Sequence, residues 1–352
     1  MLTVSRLGPR CYYPSLRAPR ASVIIPTLSA GEKLARCLNS LRDQTFQEFE
    51  TIVVDNSGHG AAAEIAGASG ARLIENNSNA GFGGAVNQGI EASEGEFVCT
   101  LNDDAYPAPQ WLESLVGACE KQDRAGMCAS QILLRDQPGR LDSTGLDIYG
   151  DGTTKQRQHG EPRHPSGTPS EALIPSGCAA LYRRSMLDEI GLFDADYFLY
   201  CEDTDLGLRG RLAGWTCLYV PAAVVEHDYS STAGRASAEK AYFVERNRIY
   251  TVLKVFPVFL WPLVPWYSLW RYAAHSMALL QGRGLASEFA GGKEKWWRLA
   301  IIVLSAQWSV LLQAGTLLRK RRAVQRTAAL TGMSFWRLLR QHNTKATDIA
   351  AQ

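Results

Sequence analysis

The sequence predicts an α/β fold: a mostly parallel central sheet flanked by helices, with an apolar helical region after it. Three observations carry that reading. Short apolar runs alternate with helix-period segments between residues 21 and 100, the pattern of βαβ units whose sheet is covered on both faces. Polar residues close those runs at Thr27, at Asp55 and Asn56, and at Asn102, Asp103 and Asp104. These are the carboxyl ends of strands, where open parallel sheets bind ligands. Beyond Asn247 the composition turns apolar and aromatic.

Each element follows from its residues. Residues 21–27 form a continuous apolar strand, and residues 30–44 place Leu34, Cys37, Leu38 and Leu41 at helical spacing. Residues 50–57 are a second strand, 61–69 an Ala-rich helix, 71–75 a third strand and 84–93 a helix. The strand at 96–100 runs into Asn102-Asp103-Asp104. Two adjacent acids there cannot both face an apolar core. They form either a metal–diphosphate site, since carboxylates are hard ligands for Mg²⁺ and Mn²⁺, or a solvated turn before Pro107. The glycines of 76–89 let backbone N–H groups approach a ligand. They do not fit a dinucleotide fingerprint, because Val86 stands where Gly or Ala is needed and the loop follows the third strand. No phosphate-binding G-x-x-x-x-G-K-[ST] motif occurs, so NAD enzymes and P-loop NTPases are disfavoured.

Residues 135–175 are polar and rich in Gly, Pro, Ser and Thr. They read as a substrate-binding loop or a disordered excursion. A strand at 175–182 and a helix at 184–190 follow. Glu202, Asp203 and Asp205 then open a helix, either as simple favourable charges on its first turn or as a general base with its neighbours. Residues 215–221 and 223–228 read as two strands. The second ends at His227, a structural imidazole or a metal ligand.

The totals narrow the classes. The chain has 352 residues, 46% of them apolar, and a formal net charge of +2, which gives no basic field for nucleic acid. Eight scattered cysteines without a C-x-x-C pair read as reduced thiols of a cytosolic protein. Residues 1–20, with Arg6, Arg10, Arg17 and Arg20, read as a basic arm without the apolar core of a signal peptide.

Taken in order, Val23-Ile24-Ile25-Pro26-Thr27, Val54-Asp55-Asn56-Ser57, the Asn79–Gly89 glycine loop, Asn102-Asp103-Asp104, Gly191-x-Phe193-Asp194, Tyr200-x-Glu202-Asp203-x-Asp205-Leu206-x-x-Arg209, His227 and Glu245-Arg246-Asn247-Arg248 resemble the family 2 glycosyltransferases of the GT-A fold. The likeness is to their rhamnosyltransferase-like and galactofuranosyltransferase-like branch and covers about residues 21–250. It implies an inverting transfer of one sugar from a nucleotide-diphosphate donor. Pro26, Thr27, Asp55 and Asn56 would hold the nucleoside. Asn79, Gly81, Gly83 and Asn87 would line the donor site. Asn102 stands first in the family's D-x-D position. Asp104 and His227 would bind Mg²⁺ or Mn²⁺, and Asp103 would meet the donor ribose or sugar. Asp203 would be the catalytic base, Glu202 and Asp205 would position sugar hydroxyls, and Arg246 and Arg248 would steady phosphates. The branch implies L-rhamnose from dTDP-rhamnose as the donor, with a UDP-dependent galactofuranosyl or hexosyl transferase as the rival. A scaffold subunit of the same fold is the rival from another class, and intact acids at 103, 104, 202, 203 and 205 argue against it.

Residues 251–322 form an apolar and amphipathic helical region. Pro257, Pro262 and Pro265 forbid one straight helix across 255–270. Residues 299–318 lack formal charge and are long enough to span a bilayer. A polar stripe of Ser305, Ser309, Gln313 and Thr316 suits a helix lying in the interface or packed on a partner. The basic run 319–322 suits an anionic cytoplasmic leaflet. The expected place is therefore the cytoplasmic face of the plasma membrane, peripheral or monotopic, beside a lipid-linked or glycan acceptor. The Gln-x-x-Arg-Trp motif of processive family members is absent, which favours single-sugar addition. Residues 323–352 read as a tail with one amphipathic segment (Phe335, Leu338, Leu339).

Overall fold

Two short parallel βαβ turns build the first half of the sheet. Strands β1 (Ala21–Thr27), β2 (Phe49–Asp55) and β3 (Arg72–Glu75) are joined by helices α1 (Glu32–Arg42) and α2 (Ala63–Ser69). Helix α3 (Gly81–Ala92) leads to β4 (Phe97–Leu101). The structure is a computed structural model, and it describes residues 18–29, 31–165, 167–228, 237–284, 287 and 297–351. Most of the basic arm expected at 1–20 lies outside the described residues. Helix α3 starts three residues before the expected 84, so much of the glycine loop is its first turn. Burial explains the clean match of β1: Val23, Ile24 and Ile25 are fully enclosed between helices on both faces.

The second half enlarges the sheet. After the short β5 (Ala105–Pro107) and helix α4 (Trp111–Glu120) comes β6 (Ala125–Leu134), followed by β7 (Leu141–Ser143), β8 (Leu146–Ile148), β9 (Thr154–Gln156), β10 (Ser170–Ala172) and β11 (Ala179–Arg183). Helices α5 (Arg184–Ile190) and α6 (Glu202–Leu212) precede β12 (Thr216–His227). The strand order is β10-β12-β6-β11-β4-β1-β2-β3, with β5 on β12 and β7 on β6. β11 is antiparallel to both β4 and β6, and β12 is parallel to β6. Reversal across β11 therefore makes β1, β2, β4, β6 and β12 all point the same way. Thr27, Asp55, Asp103, Asp104 and His227 consequently end on one edge of the sheet.

Two expectations are corrected here. Residues 135–175 are not a disordered excursion, because β7, the β8–β9 hairpin and β10 order much of them. Residues 216–227 are one strand rather than two. Pro221 sits in a register shift between Val220 and Val224, the kind of bulge where a strand tolerates proline.

The C-terminal third wraps this unit with helices. α7 (Ala238–Val255) and α8 (Val264–Leu280) are separated by a 3₁₀ turn over Val258–Leu263. This fits the expectation that the prolines break the segment. α9 (Arg298–Arg326) is a single 29-residue helix, followed by α10 (Gly332–Gln341) and α11 (Ala346–Ala350). Residues 323–351 are thus largely helical, with Phe335, Leu338 and Leu339 buried against Val252 and Phe256.

Candidate functional site

The edge of the sheet gathers the acids. Asn102, after β4, donates its N–H to the Cys178 carbonyl at 2.8 Å. Asp103 follows, half-buried, with Oδ2 2.5 Å from the Thr27 hydroxyl. Burial, opposed by that hydroxyl and aided by the charge of Asp104, pushes the Asp103 carboxyl up to about 6. Asp104 is buried, and its Oδ1 lies 3.3 Å from His227 Nε2. The backbone fixes this meeting, since His227 pairs with Ala105 across β12 and β5. On the far side of the ring, Nδ1 lies 2.8 Å from Asp142 Oδ2.

Asp203 joins this group through one segment. Its Oδ2 accepts the Gly177 N–H at 2.9 Å and its Oδ1 the Thr204 N–H at 2.7 Å. Gly177 adjoins Cys178, whose carbonyl holds Asn102 and whose thiol faces His227. Residues 177–178 therefore tie Asp203, Asn102 and His227 into one constellation. Burial raises the Asp203 carboxyl even against those N–H donors, which moves it toward the working range of a general base. Glu202, beside it, is pushed well above the ordinary range by burial and then by Asp203.

A strained turn presents this acid pair. Phe198, Tyr200 and Cys201 all have φ between 63° and 68°, a left-handed conformation costly for residues with a Cβ. The Asn247 carboxamide nitrogen lies within 2.9 Å of the carbonyls of Tyr197, Leu199 and Tyr200. Phe82 N–H donates to the Phe198 carbonyl at 2.8 Å. Gly81 has φ 76°, and a Cβ there would stand 2.3 Å from that carbonyl, so only glycine fits.

Several expected ligands are instead braces. Asn87 exchanges two hydrogen bonds with the Phe193 backbone, at 2.8 and 3.0 Å. Asn79 Oδ1 accepts the Gly81 N–H, and Gly83 packs against Phe193. The glycine loop thus seats the 193–201 turn. Asn56 is buried and spans Gly81, Asn76 and Ala80. Asp55, also buried, accepts the N–H groups of Ser57 and Ala62. Of the expected nucleoside residues, Thr27 bonds Asp103 through its hydroxyl, and half-buried Pro26 precedes it on β1. Asp205 cannot meet a sugar hydroxyl: it is 0% exposed and held by Arg209 at 2.8 Å and Lys254 at 2.7 Å. Arg248 cannot steady a phosphate: it is 2% exposed and bound by Glu245, Asp151 and Tyr272. Arg246 reaches the carbonyls of Asp196 and Tyr197, so it too holds the turn.

Asp142 and Asn247 are the residues missed from sequence. Asn247 stood within a quoted motif. Asp142 sat in polar sequence 85 residues from its partner His227, with no local signal.

Asp104 and His227 fit a divalent cation. Donor atoms 3.3 Å apart match neighbouring ligands of an octahedral ion, which stand about 3 Å apart at ~2.1 Å bond lengths. Carboxylates crowd the imidazole so strongly that, although burial lowers its affinity for a proton, Cys178, Asp104 and Asp142 lift it well above the ordinary value. The cluster attracts positive charge. Among the described residues no group of three or more His, Cys, Asp or Glu is placed to hold a metal ion.

A sheet of this order with acids at its carboxyl edge defines a GT-A-like, nucleotide-sugar-transferase type of architecture. Residues 22–191 match the family model "Glycosyl transferase family 2". Over 244 residues the chain is 31% identical to the N-acetylglucosaminyl-diphospho-decaprenol L-rhamnosyltransferase of Mycobacterium tuberculosis, covering 61% of this chain and 78% of that one. A 103-residue stretch is 36% identical to glycosyltransferase AglE of Haloferax volcanii, covering 27% and 34%. The crystal structure of GalNAc-T7 with UDP, GalNAc and Mn²⁺ superposes with a TM-score of 0.56 at 17% identity, covering 81% of this chain and 56% of that one. The chain belongs to glycosyl transferase family 2 and is a glycosyltransferase.

Proposed function

We propose that this enzyme moves a single sugar, with inversion, from a nucleotide-diphosphate donor to a lipid-linked or cell-surface glycan acceptor. L-rhamnose from dTDP-rhamnose is the leading donor. The relative from M. tuberculosis, named as an L-rhamnosyltransferase acting on a diphospho-decaprenol, supports this choice. The single observation that carries the reading is the convergence of Asn102, Asp104, His227 and Asp203 around the 177–178 segment.

Asp203 takes the proton from the acceptor hydroxyl as that oxygen attacks the anomeric carbon. The Gly177 and Thr204 N–H groups fix the carboxylate for this task. Asp103, against Thr27, meets the donor's ribose or sugar. Asp104 and His227 would hold Mg²⁺ or Mn²⁺, and such a cation would supply positive charge against the diphosphate of the donor. The attack is a single displacement, so no protein nucleophile is needed. Replacing Asp203 by Asn tests the assignment. Transfer falls about 10²–10⁴-fold, the usual contribution of a general base, while donor binding by calorimetry is retained. Wild-type turnover would remove Asp203 from the role. A panel of dTDP and UDP sugars in the same assay separates the rhamnosyl reading from a galactofuranosyl or hexosyl one.

A membrane surface completes the proposal. Val258, Phe259, Trp266, Leu269 and Trp270 around α8, and Ile301, Leu304, Trp308, Leu311 and Leu312 on α9, are all exposed. Helix α9 is long and apolar enough to cross a bilayer. Its second half is anchored to protein instead: Lys320 pairs with Asp194 and Asp196, and Arg321 caps α7 through the Phe256 carbonyl at 2.7 Å. That anchoring supports a peripheral or monotopic seat on the cytoplasmic face, with the tryptophans at headgroup depth.

A further inference from the structure

The imidazole of His227 is held from behind. Asp142 lies on β7, which pairs with β6, and the end of β6 pairs with the end of β12, where His227↔Leu134 is in register. Asp142 is 3% exposed, and its Oδ2 stands 2.8 Å from His227 Nδ1. His159 closes the other side of Asp142, with Nδ1 2.9 Å from the Asp142 carbonyl oxygen and 3.2 Å from Oδ1. A carboxylate in this place accepts a hydrogen bond from His227 Nδ1, which leaves Nε2 as the nitrogen turned toward Asp104 Oδ1, 3.3 Å away.

We propose that Asp142 is the positioning residue of the cation site: it locks the His227 ring so that Nε2 and the Asp104 carboxylate converge on one point, with His159 bracing Asp142 from behind. A carboxylate behind a metal-bound imidazole fixes the ring's orientation and raises its basicity, and losing such a partner typically weakens metal affinity 10–100-fold. The ordered part of 135–175 is then a support for the cation rather than a loop over the substrate. This inference rests on the reading of Asp104 and His227 as ligands.

The test uses the full chain in the presence of dTDP, with Mn²⁺ as the probe. Affinity is measured by titration calorimetry, and nitrogen coupling to the bound ion by pulsed EPR. The wild type is expected to show coupling from one imidazole nitrogen. Asp142→Ala is expected to bind Mn²⁺ 10–100-fold more weakly and with altered nitrogen coupling. Asp142→Asn, which keeps the shape but not the charge, is expected to fall between the two. Wild-type affinity and coupling in Asp142→Ala would overturn the inference and leave the cation site standing. Should Asp142→Ala not fold, the same result in Asp142→Asn overturns it. A wild-type complex without nitrogen coupling would remove His227 from the ion, and this inference with it. A weakening confined to the thermal midpoint, with unchanged Mn²⁺ coupling and affinity, would show Asp142 to be structural only.

Discussion

The seam where α7 and α8 meet the sheet domain, and the outer faces of α8 and α9, break the ordinary rule of burial in opposite directions. In the first, charges lie inside. Asp151, Glu245, Arg248 and Arg271 form a closed buried quartet, and Asp205 sits between Arg209 and Lys254. In the second, large apolar groups lie outside, with Trp266 71% and Leu280 88% exposed. The contrast separates two tasks. Buried charge is costly unless fully paired, and here the pairs bolt α7, α8 and residue 151 together behind the acid turn. Exposed apolar surface is costly in water, and that cost disappears where the surface meets lipid. One region spends its polarity on fixing geometry, the other its hydrophobicity on reaching a partner.

Breaking the quartet gives the largest stability effect. Arg248→Met leaves Glu245 and Asp151 short of a partner, and removing one member of a buried pair costs about 3–5 kcal/mol. Chemical unfolding should show that loss. A change under about 1 kcal/mol would mean that the quartet is not a lock, on the scale of surface pairs.

Acid should act on the same lock. Burial raises the Asp151 and Glu245 carboxyls, but Arg248 and Arg271 outweigh it and bring each down to about 2. Their folded values are depressed. The stability they contribute is therefore complete above the unfolded values near 4 and is lost as pH falls toward 2. Each contributes about 2–3 kcal/mol by this linkage. Unfolding free energy measured from pH 5 to pH 2 should decline in that window, with a shallower slope in Arg248→Met. Equal slopes in both proteins would contradict the pairing.

Asn247→Ala should come next, at about 1–3 kcal/mol for buried carbonyls left without a donor. Because those carbonyls belong to the turn before Glu202, kcat should fall while KM for the donor holds. A parallel rise in KM would move Asn247 from the acid turn to donor binding. Replacing Trp266, Trp270 and Trp308 together by Ser should change unfolding free energy least, within about 0.5 kcal/mol per site as for other surface positions. Sedimentation with anionic vesicles should nevertheless be lost. Retained sedimentation would place the lipid contact elsewhere.

The same contrast explains what the sequence could disclose. β1 was legible to the residue, because a run enclosed on both faces is apolar throughout. The strand-end acids were legible because charge at the end of an apolar run has nowhere to hide. Asp142 was not, since β7 is three residues long and takes its meaning from a histidine 85 positions away. Arg248 and Asp205 looked like ligands because a charged motif resembles a binding site from within. Their partners, Asp151 and Tyr272 for Arg248 and Lys254 for Asp205, lie in other elements. The glycine loop pointed correctly to close backbone approach, at Gly81, but the group that approaches is the Phe198 carbonyl.

Crystals of the full chain grown with dTDP and Mn²⁺, and read by anomalous scattering at the manganese edge, test the account most directly. A single strong peak within bonding distance of Asp104 and His227 Nε2, with Asp203 facing the same nucleotide, is the predicted result. A peak elsewhere, or Asp203 turned away from the nucleotide into a separate surface, would contradict it.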